Sequence, residues 1–155
     1  MDRESARALF SRAVEKEMKT DRVREVFRQD TLLPEAIRLS YIGALQTLKA
    51  RDASFPLTKL KWLKRGMATL KKARQLDSLN VEVIFVQGVV CFRVPKLFGY
   101  RDDARRHFAT LIRQLPSQWQ QYDSEFVQEM LDFLRSEVTL TTEEEEIIAG
   151  IENQI

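Results

Sequence analysis

The sequence predicts an all-α protein, and three observations carry that reading. Glycine and proline are scarce, five and four in 155 residues, while the good helix formers Leu, Ala, Lys, Arg, Glu and Gln abound. Apolar residues recur every three or four positions along each long segment instead of alternating. No run of β-branched residues between turn signals reads as a strand.

The elements follow in order. Residues 4–18 place Leu9, Ala13 and Val14 on one stripe with Phe10 and Met18 beside it, and residues 21–29 add Val23, Val26 and Phe27. The stretch from Thr31 to Pro34 breaks the chain, because the residue before a proline is pushed out of the helical region. Residues 34–50 open with Pro34 in a first turn, where its missing N–H has no consequence. They continue through Ile37, Tyr41, Ala44, Leu45 and Leu48. After RDASFP, residues 57–76 carry Leu60, Leu63, Met67, Leu70 and Ala73 at helical intervals. DSLN turns the chain and Asn80 is placed to cap residues 81–93. That helix is apolar nearly all round, as expected of a segment buried on most sides. A loop with Pro95 and Gly99 leads to a helix over 101–115, expected to stop before Pro116. Helices over 123–137 and 142–154 complete the chain. Asp123 or Ser124 caps the former, and Thr142 with Glu145 fits a capping box for the latter.

Composition narrows the function classes. Hydrophobic content of 44% with 31% charged residues fits a folded globular chain and excludes a disordered one. The single cysteine, Cys91, excludes an internal disulfide or a Cys-rich zinc site and reads as a buried, inert thiol within VIFVQGVVCF. His107 is the only histidine, and no Gly-rich phosphate loop, HExxH, GxSxG or EF-hand pattern occurs. Asp102–Asp103 and Glu143–Glu146 read as first-turn charges complementing helix dipoles. The expectation is a non-enzymatic protein without cofactor or metal. The first residues, MDRESARALF, lack an apolar signal core, and no segment approaches the ~18 apolar residues of a membrane span. A cytoplasmic location is expected.

A net charge of +2 hides a strong asymmetry. From Lys49 to Arg74 nine Lys/Arg face Asp52 alone, whereas from Ser117 onward Arg135 alone faces ten Asp/Glu. Lys61, Lys64, Arg65, Lys71 and Lys72 form a basic surface opposite Leu60, Leu63, Met67 and Leu70. Three readings stay open for it. It is a solvated face, a site for a nucleic-acid backbone or membrane headgroups, or a partner for the acidic C-terminal segment of this chain or of a second copy. The last would make the protein a homo-oligomer. Trp62 reads either as core or as an interface anchor.

One spacing recurs. Ala104, Phe108, Leu111 and Pro116 follow intervals of four, three and five, and Gly66, Leu70, Ala73 and Ser78 repeat them 38 residues upstream. Each set follows a helix with a central glycine, Gly43 and then Gly88. This pattern over residues 34–116 resembles the tetratricopeptide repeat (TPR), a helix–turn–helix unit whose small residues let paired helices approach closely. The same stretch also resembles uncharacterised bacterial TPR-like proteins. It departs from the family in its longer period, in apparent insertions at 51–57 and 94–100, and in Ser78 standing where a proline is usual.

The length of 155 residues fits a single domain over 1–155, and the resemblance implies its organisation. Two antiparallel helix pairs at 34–116 would stack as a short right-handed array, capped by helices at 1–30 and by the acidic helices of 117–155. It also implies a partner groove at Ser40, Tyr41, Ala44, Thr47 and Leu48, and at Phe85, Val86, Val89, Phe92 and Arg93. The second set is apolar enough that either the C-terminal helices fill it or it binds a hydrophobic peptide. The function expected is that of a scaffold holding a protein or peptide segment. The alternative is nucleic-acid or anionic-surface binding through the basic helix at 59–74.

Overall fold

The computed structural model describes every residue, Met1–Ile155, as eight α-helices with two single turns of 3-10 helix and no strand. No helix is long and apolar enough to cross a membrane. The chain divides into two compact units, Met1–Ser78 and Leu79–Ile155. The division falls between the two helix pairs. It also separates charge: the first unit holds eighteen Lys/Arg against ten Asp/Glu, the second seven against thirteen.

The first unit contains α1 (Arg3–Val14), α2 (Thr20–Gln29), α3 (Glu35–Asp52) and α4 (Pro56–Leu76). Asp2 caps α1 by accepting from the Ser5 N–H at 2.7 Å. The helix expected over 4–18 stops at Val14, because EKEMK offers little to bury and Lys16 takes a φ of 62°. Arg51 of α3 donates to the Val14 carbonyl at 2.9 Å, giving a partner to one of the acceptors a helix leaves open at its C-terminus. α3 and α4 run antiparallel at close range. Gly43 lies against Leu70, Gly66 lies against Thr47, and the two glycines face each other. Thr69 donates to the Gln46 side chain at 2.6 Å across the same pair.

The second unit contains α5 (Val81–Arg93), α6 (Arg101–Gln118), α7 (Ser124–Glu137) and α8 (Thr142–Glu152). Asn80 caps α5 as expected, accepting from the Val83 N–H at 3.2 Å. Residues 81–88 are all buried, Glu82 and Gln87 with the apolar ones. Gly88 meets the ring edge of Phe108 on α6.

The expected stop before Pro116 is not observed, and α6 runs through it to Gln118. A proline so near the C-terminus removes one intrahelical bond, that of the Ile112 carbonyl. The extra turn carries Gln118, whose side chain donates to the Leu79 carbonyl at 2.7 Å and accepts from the Val81 N–H at 3.2 Å. The continuation thus satisfies a first-turn donor of α5.

Asp123 caps α7, accepting from the Phe126 N–H at 2.9 Å. The capping box expected from Thr142 and Glu145 is displaced by one residue. Thr141 accepts from the Glu144 N–H at 3.2 Å, and the Glu144 carboxylate pairs with Arg105 of α6 at 2.6 Å. That long-range pair sets the register. Thr141→Ala is expected to cost about 1 kcal/mol and Thr142→Ala close to nothing, as read by urea denaturation and amide exchange in α8.

Candidate anion-binding site

The groove positions implied by the repeat resemblance do not form an open surface. Tyr41 is 2% exposed, because the rings of Phe10 on α1 and Phe27 on α2 lie 5.3 Å from its own. Ser40 and Ala44 are buried with it, and Thr47 and Leu48 are half-buried.

On α5, Phe85 is buried against Phe126 and Phe133 of α7, with ring centroids 5.9 and 5.8 Å away. Phe92 is half-buried, 5.5 Å from Phe133. Val86 is buried, Val89 is half-buried, and Arg93 alone of that set is exposed, its guanidinium near the Phe92 and Phe133 rings. Of the two fates open to this apolar set, the C-terminal helix α7 fills it. Aromatic surface of this size is more stable against the chain's own rings than in water.

The basic surface fares differently. Lys61, Lys64, Arg65, Lys71 and Lys72 are all exposed on α4, at spacings that place them along one side of the helix. Arg65 and Lys72 also line an open cleft of about 490 Å³ in the first unit. Three further cations reach it, Arg24 and Arg28 from α2 and Arg38 from α3. Leu39, Ile42 and Trp62 supply apolar wall, Gln46 and Thr69 supply polar groups, and no acidic side chain lines it.

Trp62 organises this cleft. Arg24, Lys49 and Arg65, from three different helices, lie 5.0, 5.1 and 5.2 Å from its ring, each contact worth about 0.5–1 kcal/mol at an exposed site. Asp21 steadies two of the same cations, lying 3.2 Å from Arg24 and 2.7 Å from Lys49. Trp62 is therefore neither plain core nor a free anchor, since its ring is already engaged by cations. Arg38, Arg65 and Lys72 make no ion pair. Guanidinium groups held in place in this way lose less freedom on meeting an oxyanion.

Arg24, Arg28 and Arg38 are absent from the basic set read from the sequence. The signal available was Arg24 and Arg28 at i,i+4 on α2, flanking the face of the buried Val23 and Phe27.

The second unit has its own open pocket of about 490 Å³, walled by Phe92, Ala104, Phe108 and Val138. Its rim mixes Lys96, Arg101 and Arg105 with Asp102 and Glu137, so it presents no single sign of charge to a ligand. Asp102 and its neighbour Asp103 open α6 as first-turn charges, and Asp103 pairs with Arg106. No group of three or more His, Cys, Asp or Glu side chains is placed to hold a metal ion. Burial pushes the Cys91 thiol up to about 12, helped by the charge of Asp103, so it is protonated at neutral pH and a poor nucleophile. His107 is half-buried on α6.

No protein-family model, curated protein or solved structure matches the chain.

Proposed function

We propose that this chain is a non-enzymatic interaction protein that holds an acidic segment of a partner protein in the cleft between α2, α3 and α4. The observation that carries the reading is the cleft's composition: five cationic side chains, an apolar wall and no carboxylate. The α3–α4 and α5–α6 pairs are read as two TPR-like pairs, supported by the small residues at their crossings, Gly43 against Gly66 and Gly88 against Phe108. The partner site moves from the family's groove to the basic cleft, because the chain's own rings cover Tyr41 and Phe85.

An extended acidic peptide fits this chemistry. Its carboxylates meet the guanidinium forks of Arg38 and Arg65 and the Lys72 ammonium, while its side-chain methylenes pack on Leu39 and Ile42. Binding of a fluorescein-labelled oligoglutamate is expected to be detectable by anisotropy at about 50 mM salt and to weaken steeply by about 300 mM, as the Debye length shortens. Arg65→Glu with Lys72→Glu is expected to weaken it roughly tenfold or more. An unchanged affinity in that variant would remove the cleft from consideration.

The exposed row Lys61, Lys64, Arg65, Lys71 and Lys72 favours a second reading, contact with a nucleic-acid backbone. Lys61, Lys64 and Lys71 lie outside the cleft, so their replacement by Gln separates the two. Weakened binding of a single-stranded oligonucleotide with unchanged oligoglutamate binding supports the backbone contact. No oligonucleotide binding at low salt eliminates it.

A further inference from the structure

We propose that the acidic segment taken by this cleft is the first turn of α8 from a second copy of the chain, an inference that rests on the cleft reading above. The charge of the two units motivates it. The first unit carries a formal +8 and the second −6, so two copies meeting head to tail bring opposite potentials together, and two copies meeting like to like repel.

The carboxylates of the second unit are not equally available. Glu144 is engaged by Arg105, Glu152 by Arg135 and Asp103 by Arg106. On α7, Asp132 accepts from Gln128 at 2.7 Å. Asp102 on α6 and Glu125 and Glu137 on α7 are exposed without an ion pair but are scattered, whereas Glu143, Glu145 and Glu146, also exposed and without an ion pair, cluster within one turn of α8, with Glu145 in the field of Arg135. Glu143 and Glu146, three residues apart, share one face of that turn, with Glu145 displaced around the helix, so the helix start concentrates negative charge. In the first unit, Arg38, Arg65 and Lys72 are the three cleft cations that no carboxylate of their own chain engages. Unpaired cations in a concave site and a run of exposed carboxylates at a helix start are complementary in sign. The second copy completes the site by supplying the carboxylates that the cleft itself lacks.

Sedimentation of the full chain tests this. At several hundred micromolar protein and about 50 mM salt, the weight-average mass is expected to exceed 18.1 kDa and to fall back to it at about 500 mM, where charges are screened within a few ångströms. Two variants each disable one pole: Arg38→Glu/Arg65→Glu/Lys72→Glu, and Glu143→Gln/Glu145→Gln/Glu146→Gln. The second uses glutamine so that the first turn of α8 keeps a helix-compatible residue, and circular dichroism checks that both fold.

Each variant alone is expected to remain at 18.1 kDa. Their mixture is expected to form a one-to-one dimer, since each then supplies the pole the other lacks. A wild-type chain that stays monomeric at low salt overturns the proposal, as does a mixture that does not associate. If oligoglutamate still binds the monomeric wild type, only the second-copy assignment falls. If it does not bind, the cleft reading falls with it.

Discussion

Replacement of Phe108 by alanine is expected to destabilise the second unit by about 3–5 kcal/mol, the range for a buried phenylalanine. Phe108 is 1% exposed, and its ring lies 5.4 Å from that of Phe133 on α7 and 6.3 Å from that of Phe92 on α5. It thus joins three helices. Alanine leaves a void that α5, α6 and α7 close only in part, so both the transfer term and the cavity term apply. Amide exchange read by mass spectrometry should accelerate across α5–α8 and less in α1–α4, since the residue packs within one of the two units.

The glycine facing it supplies an internal check. A Cβ at position 88 would lie 2.6 Å from Phe108 Cε1, so Gly88→Ala in the native background should cost about 1–3 kcal/mol through overpacking. In the Phe108→Ala background the obstruction is gone. Gly88→Ala should there cost nothing or stabilise slightly through helix propensity, giving a double-mutant coupling above about 1 kcal/mol. Strict additivity would show that glycine 88 is not there to admit the ring.

Gly66→Ala is the second large effect, with an expected net loss of about 2 kcal/mol in the first unit. The substitution gains about 1 kcal/mol of helix propensity, yet the new Cβ would sit 2.8 Å from the Gly43 carbonyl oxygen, 3.0 Å from the Thr47 nitrogen and hard against Thr47 Cγ2. Two of those three atoms are backbone and cannot rotate aside, so α3 and α4 must separate and lose packing along their shared length. Gly150→Ala is the matched control. Apart from its own stretch of helix backbone and chain neighbours, nothing lies within 4 Å of its Cβ position, so it should stabilise by up to about 1 kcal/mol. Urea denaturation of the full chain measures both, and a Gly66→Ala as benign as Gly150→Ala would contradict the close crossing.

These glycines are legible in the sequence itself. Gly43, Gly66 and Gly88 stand out because their spacing recurs, and spacing on a helix is a local property with a 3.6-residue period. Asn80 and Asp123 were legible as caps for the same reason, each sitting just before an apolar-periodic run. The misplaced boundaries have specific causes. Pro116 looked like a terminus, but Gln118 finds its partners at Leu79 and Val81, nearly forty residues away. Thr142 looked like the cap, but the pair between Arg105 and Glu144 favours the neighbouring Thr141.

The site was legible in half. Arg65 and Lys72 were found from charge density along one helix, whereas Arg24, Arg28 and Arg38 were missed because they join that set only when α2 and α3 pack beside α4. Tyr41 and Phe85 were readable as large apolar residues on first helices. Nothing local shows that Phe10 and Phe27 cover the one and Phe126 and Phe133 the other.

Helix number and approximate extent, the small-residue crossings and the separation of basic from acidic halves are therefore properties of the chain read in order. They depend on periodicity, capping and charge, which act over a few residues or simply sum. Which cations share a cleft, which aromatic residues are covered and where two helices end required the folded chain. Those outcomes rest on contacts between residues as far apart as Arg24 and Lys72, and such contacts are decided by packing and long-range pairing.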